Sequence, residues 1–264
     1  MAETPTSDAA AEPWAVSLFR RSVLKQRKLA EILAMLGEAG QDDRCLDLGS
    51  DNGVISLLLR RRGGRWASAD MTDEAVSSIR ELVKDDVHRT DGRTLPFGDA
   101  EFDRVVVVDM LEHVPDEGAF ASELARVTKP GGALIVNTPH LKQTTLRRLR
   151  HRLGQTDEKH GHLRPGYTTT RLEELLGTGF ALETARSYSR FFSELVDTGI
   201  NWGVERLGKK GAAKGIVVTG GDVAKHARLF HAYSAIYPLV WTITRLDAIV
   251  PASGYMLIAR LRKT

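Results

Sequence analysis

The chain has 264 residues, enough for one substantial α/β domain or for one domain with an elaborated C-terminal part. A composition of 42% hydrophobic and 27% charged residues excludes a disordered chain and a membrane-spanning one. The net charge of +3 is too small to argue for nucleic acid, and a single cysteine, Cys45, excludes an intramolecular disulfide and a thiolate metal cluster.

Residues 1–13 are small and polar and predict a disordered tail. Trp14 to Leu36 carries Phe19, Val23, Leu29, Ile32, Leu33 and Leu36 at helical spacing, which predicts one N-terminal helix ending at Gly37. Short apolar runs then alternate with helical patterns. Strands are expected at Arg44–Leu48, Arg65–Ala69, Asp86–Thr90, Asp103–Val108 and Ala133–Asn137, with helices near Gly53–Arg61, Asp73–Val83 and Glu117–Val127. Strand and helix in alternation predict a doubly wound, mainly parallel sheet with helices on both faces. Cys45 sits inside the first strand pattern and reads as a buried structural thiol, in keeping with a reducing cytoplasm.

After Pro139 the rhythm breaks. Leu141–Leu153 is basic and helical in pattern, Thr169–Leu176 predicts a short helix, and Phe180–Ser187 a strand. Phe191–Leu207 reads as helix, Lys209–Gly221 as a glycine-rich link, and Val223–Val250 as a long apolar helical region broken at Pro238. Tyr255–Leu261 predicts a last strand. Residues 14–140 are therefore expected to form a cofactor-binding core, and residues 141–264 to complete the same sheet with an apolar helical cap.

The stretch Cys45-Leu-Asp47-Leu-Gly49-Ser-Asp51-Asn-Gly53 has the form strand, tight glycine turn, helix start. Glycines there let backbone approach a ligand closely, although a dinucleotide dehydrogenase uses the same device. Asp70, 21 residues after Gly49, closes the second strand and offers a carboxylate suited to the two hydroxyls of a ribose. Asp91 closes the third strand and offers an acceptor for an adenine amino group.

Further landmarks follow in order: Asp91-Gly92, Leu95-Pro96-Phe97, Glu101-Phe102-Asp103, Asp109-Met110-Leu-Glu112-His113, and Lys129-Pro-Gly-Gly132. Over residues 43–140 this series resembles the class I, Rossmann-like S-adenosylmethionine (SAM)-dependent methyltransferases of the small-molecule type. The resemblance implies a seven-stranded sheet, SAM as cofactor, and cofactor contacts from Asp47, Gly49, Asp51, Gly53, Asp70, Met71, Asp91, Gly92, Asp109 and Met110. One departure stands out: the family's middle glycine of the first turn is replaced by Asp51. Asp tolerates a left-handed backbone better than most residues, so the turn is expected to survive.

The Asp109-x-x-Glu112-His113 pattern with a downstream histidine also resembles the ubiquinone-biosynthesis O-methyltransferases and the small-RNA 3′-terminal methyltransferases. That resemblance implies a divalent Mg, Mn or Zn ion held by Asp109, Glu112, His113 and either His160 or His162. Without a metal, His113 or His140 is the expected base, and either also reads as a structural histidine. The apolar run 232–244, 13 residues long, is too short to span a bilayer. Core, lid or subunit packing, the last giving a homodimer, is one reading. Peripheral contact of 229–250 with the inner membrane surface of a cytoplasmic protein is the other. The expected function is methyl transfer to an oxygen, less readily N or C, of a small apolar molecule such as a quinone, lipid or natural product. A metal-dependent RNA or sugar methyltransferase and a SAM-binding protein without methylating activity are the alternatives. No strong nucleic-acid signal accompanies them.

Overall fold

The central strands are buried on both faces, and successive side chains alternate between two cores on one sheet. The structure, a computed structural model, describes residues 13–142, 145–155, 161–207 and 223–264. Its strands are β1 (Arg44–Leu48), β2 (Arg65–Asp70), β3 (Val87–Arg89), β4 (Phe102–Val108), β5 (Thr128–Pro139), β6 (Phe180–Tyr188) and β7 (Met256–Lys263). They form a seven-stranded sheet in the order β3-β2-β1-β4-β5-β7-β6. β7 runs antiparallel between β5 and β6, whereas β1 to β5 pair in parallel.

The helices are α1 (Trp14–Phe19), α2 (Val23–Leu36), α3 (Val54–Arg60), α4 (Asp73–Val83), α5 (Glu117–Val127), α6 (Thr145–Arg152), α7 (Thr169–Leu176), α8 (Phe191–Leu207) and α9 (Val223–Arg245). Leu46, Leu48, Val105, Val107, Leu134 and Val136 point to the face covered by Phe120 and Leu124 of α5 and Leu172 and Leu176 of α7. Their neighbours Cys45, Val106, Val108 and Ile135 point the other way, against Ile32, Met35 and Leu36 of α2 and Leu59 of α3. Burial pushes the Cys45 thiol up to about 12, so it stays protonated and packs as an apolar group.

Four expectations need correction. The first helical stretch is two helices, because the chain turns at Arg20–Ser22 and Ser22 restarts it as an N-cap, its hydroxyl accepting from the Lys25 amide. β5 begins at Thr128 rather than Ala133, taking the Lys129-Pro-Gly-Gly132 segment into the strand through a register shift opposite Phe102 and Arg104. The basic helix begins at Thr145, not Leu141. Pro238 does not break α9, which runs through it to Arg245 before a 3₁₀ turn at Leu246–Ile249. The expected tail over residues 1–13 (all but Pro13), the link over 209–221, and His160 lie outside the described residues.

Candidate active site

The carboxyl ends of β1, β2, β4 and β5 come together at one edge of the sheet, and the first turn closes over them. Gly49 has φ +82°, and a Cβ there would strike the Val108 carbonyl and lie 2.6 Å from Met110 Cβ. The turn therefore requires glycine where β1 and β4 converge. Asp51 takes the left-handed conformation, φ +51°, without a glycine, and Gly53 follows at φ +77°. The expected survival of the turn is what the backbone shows. Its amide is tied down as well: Asp51 N donates to Asp70 Oδ2 at 3.3 Å.

Asp70 stands almost fully buried at the end of β2, with Oδ1 accepting from the amides of Met71 (2.7 Å) and Thr72 (3.3 Å). Burial raises its carboxyl above the usual range, and the amides of Met71, Asp51 and Thr72 offset this only in part. Oδ2 takes one of these bonds, where a carboxylate oxygen accommodates two, so an acceptor direction remains for a ligand hydroxyl. Asp91 is exposed; its Oδ1 accepts from the amides of Arg93 and Thr94, both at 2.8 Å, which hold its carboxyl below the usual range. Gly92, φ +76°, is confined: a Cβ would meet Met71 Sδ at 2.7 Å and Val114 Cγ1 at 2.9 Å. Met71 thus closes the gap between the ends of β2 and β3.

Two expected contact residues have another task. Asp47 is fully buried beneath the turn and accepts from the hydroxyls of Ser50 (2.5 Å), Ser56 (2.6 Å) and Ser68 (2.6 Å), with Arg60 at 3.4 Å. Every one of these bonds is internal, so Asp47 braces the turn from below. Met110 is 2% exposed and packs under Gly49.

At the end of β4, Asp109 takes φ +46°. Its Oδ1 accepts from Asn137 Nδ2 at 2.6 Å, Lys28 of α2 forms a short ion pair with Oδ2, and Tyr188 in turn donates to Asn137 Oδ1 at 2.5 Å. Burial alone would lower the Lys28 ammonium, but the Asp109 carboxylate outweighs it and holds the ammonium above its usual value. Lys28 was not singled out by the sequence. It lies 81 positions from Asp109 on a helix whose pattern reads only as a cover, and no local signal marks it.

Beside it lies a second cluster. Glu112 is fully buried, its Oε2 accepts from Thr138 Oγ1 at 3.1 Å, and its Oε1 has no hydrogen-bond partner among the described residues. Burial, then the nearby Asp109 charge, pushes its carboxyl up to about 8. The loop beyond residue 160 is pinned here by Leu163 N donating to Glu112 O at 2.9 Å and by Arg164 donating to Val114 O at 2.5 Å. That pinning sets the His162 ring edge-on to His113, centroids 4.8 Å apart. His113 Nδ1 faces the Gly161 carbonyl at 3.0 Å. Ligand atoms of Glu112, His113 and His162 all lie within 4.8 Å of one another. His140, at the end of β5, instead faces the Gly254 carbonyl through Nδ1 at 2.8 Å.

Comparison with known proteins agrees with this architecture. Residues 46–136 match the family model described as a methyltransferase domain. Residues 46–136 are thus similar to a methyltransferase domain. Over 102 residues it is 39% identical to a ubiquinone biosynthesis O-methyltransferase of Hahella chejuensis, covering 36% of this chain and 42% of that protein. Over 108 residues it is 38% identical to a demethylmenaquinone methyltransferase of a Mycobacterium species, covering 40% of this chain and 45% of that one. The chain thus spans less than half the length of these curated relatives. The fold recurs in the [4+2]-cyclase SpnF, with TM-score 0.60 and 18% identity over 90% of this chain and 80% of that one. It recurs also in a geranyl diphosphate C-methyltransferase from Streptomyces coelicolor, with TM-score 0.57 and 15% identity over 91% and 78%.

At this edge of the sheet the expected metal ligands separate. Glu112, His113 and His162 come together, whereas Asp109 is taken by Lys28 and Asn137 and is not part of the cluster. The donor set fits a divalent ion: one buried carboxylate oxygen without a partner among the described residues and two imidazoles suit Mn or Zn, and less well Mg, which prefers oxygen.

Proposed function

We propose that the protein transfers a methyl group from SAM to a hydroxyl oxygen of a small apolar acceptor of the quinol type. The observation that carries this reading is the buried Glu112, with its open oxygen, set beside His113 and His162 at the sheet edge that also bears the glycine turn. Asp70 and the turn held by Asp51 and Gly49 serve the cofactor, and the names of the relatives support a quinone-like acceptor. The hydroxyl oxygen attacks the methyl carbon in line as the carbon–sulfur bond breaks, giving a methyl ether and S-adenosylhomocysteine, and one proton must leave. The Gly161 carbonyl can only accept, so Nδ1 of His113 carries the hydrogen and Nε2 of the neutral ring is left to take that proton. His140 is held in the same tautomer by Gly254 and is the alternative base.

The donor set also supports a metal-assisted form of this reaction, in which Glu112, His113 and His162 hold the ion. Such an ion would supply acidification of a bound hydroxyl. Acceptor-dependent formation of S-adenosylhomocysteine, measured with a hydroxylated quinol and with or without chelator, tests both forms. Abolition by Asp70→Ala is expected in both forms, and abolition by Glu112→Gln in the metal-assisted form. SAM binding without turnover on any hydroxylated acceptor would favour a domain used for other chemistry, and no SAM binding would refute the reading altogether.

A further inference from the structure

Every exposed large hydrophobic side chain among the described residues lies beyond residue 148, outside the methyltransferase domain proper. Five of them, Ile236 (42%), Leu239 (61%), Trp241 (44%), Leu246 (40%) and Ile249 (77%), lie on the last three turns of α9 and the 3₁₀ turn after it. Leu239 and Leu246 are seven positions apart and so share one helix face, while Trp241 and Arg245 are four apart on the adjoining one. The Arg245 guanidinium stacks over the Trp241 ring, 4.2 Å from its centroid.

Charge on this surface has one sign. Across Ala235–Ile249 the one acidic residue, Asp247, is 2% exposed and is consumed as the cap of α8, accepting from the amides of Arg190 (2.7 Å) and Phe192 (2.8 Å). Beside it a cleft of about 420 Å³ is lined by Arg27, Arg190, Trp241, Thr244 and Arg245. Three guanidiniums thus line a cleft that holds one carboxylate. Arg27 pairs with Asp247 at 3.5 Å, Arg190 donates to the Asp247 and Val250 carbonyls, and Arg245 is left stacked on Trp241 next to the exposed leucines and isoleucines. Among the described residues no helix is long and apolar enough to cross a membrane.

We infer that the end of α9 and the turn Leu246–Ile249 form a peripheral docking surface for an anionic phospholipid bilayer. Leu239, Leu246 and Ile249 enter the acyl boundary, Trp241 sits at headgroup depth, and Arg245 with the arginine-lined cleft meets lipid phosphate. Charge complementarity selects this occupant over a second copy of the chain. A twofold interface would set this patch against its own copy, where Ala235–Ile249 offers Arg245 no exposed acid to pair with. The inference does not depend on methyl transfer, although a membrane-bound protein would meet an apolar acceptor where it dissolves.

The test is flotation of the full chain with vesicles of phosphatidylcholine alone and of phosphatidylcholine with about one-third phosphatidylglycerol, without SAM. Wild type should float with the anionic vesicles and weakly with the neutral ones. Arg245→Glu reverses one interfacial charge and should lower partition by about tenfold, and Leu239→Glu with Ile249→Glu should lower it at least as much. All three positions are exposed, so folding is retained, which circular dichroism checks. Equal flotation of wild type and variants overturns the inference. So does failure of wild type to float, whether it is monomeric or a dimer that Leu239→Glu dissociates, the latter assigning the surface to a second copy.

Discussion

Replacing Glu112 with glutamine isolates the energetic consequence of a carboxyl sealed at the end of β4. Burial raises this group from 4.5 to about 8, so between those pH values the unfolded chain is ionised at this position while the folded chain holds the proton. A folded-state value above the unfolded one gives stability that is complete below about 4.5 and is lost as pH rises through about 8. At about 1.4 kcal/mol per pH unit the loss is on the order of 3–5 kcal/mol. Glutamine has the same shape, carries no charge, and keeps an oxygen to accept from Thr138. With metal removed by chelator, urea unfolding of the two proteins should therefore agree near pH 4.5 and diverge steadily above it, the variant becoming the more stable. Added Mn²⁺ should close the gap above pH 7 by stabilising wild type alone, because a cation binds the ionised carboxylate. Parallel stability curves for the two proteins, or a wild type that gains on the variant as pH rises in chelator, would refute the reasoning.

Three further substitutions probe the scaffold around it. Gly49→Ala places a methyl against the Val108 carbonyl at φ +82° and should cost about 3 kcal/mol or more by chemical denaturation, with loss of SAM binding by calorimetry. Asp51→Gly relieves the one non-glycine left-handed residue of the first turn. It should stabilise the fold by up to about 1 kcal/mol while leaving SAM affinity within about threefold, whereas loss of binding would show that the Asp51 carboxylate contacts the cofactor. Lys28→Met removes the ammonium from Asp109, whose side chain is 31% exposed, and should cost about 1–2 kcal/mol in thermal or urea unfolding.

How far the sequence carried these conclusions depended on the range of the interaction concerned. Strand positions β1, β2 and β4 were legible because a short, near-continuously buried run of five to seven residues is a local property. The break between α1 and α2 was hidden because apolar residues continue on both sides of a three-residue turn. Pro238 misled for a different reason: its ring disfavours a helix locally, yet α9 continues through it on packing against α8 and α2. At the site, the approach of His162 to Glu112 and His113 could not be read from spacing, since it rests on Leu163 bonding Glu112 across the fold. Asp109 was assigned to the metal cluster by its place in a motif. Its actual partners come from α2 and β5, and a motif carries no information about either. The exposure of Leu239 and Ile249 was equally invisible, because an apolar helical run reads the same whether it faces a core or a boundary.

Backbone strain gives an independent indication of where the chemistry belongs. Among the described residues Asp51, Asp109 and Ser189 take positive φ without being glycine and follow β1, β4 and β6 at the same edge of the sheet, while Lys84 and Ala100 do so in the turns that lead into β3 and β4. Each such residue costs on the order of 1 kcal/mol and persists only where its surroundings hold it. Those surroundings are visible: Asp70 receives the Asp51 amide, the Asn137 carbonyl receives the Asp109 amide, and Tyr255 N donates to the Ser189 carbonyl. The Asp109 side chain extends the same restraint through Lys28 to α2 and through Asn137 and Tyr188 to β5 and β6. Four elements distant in sequence are thereby locked around one carboxylate, directly beside Glu112. A fold stabilised without regard to ligand would relax these residues. Holding them strained keeps the backbone of the first turn and of the β4 end in place before anything binds, which is what the proposed in-line transfer requires.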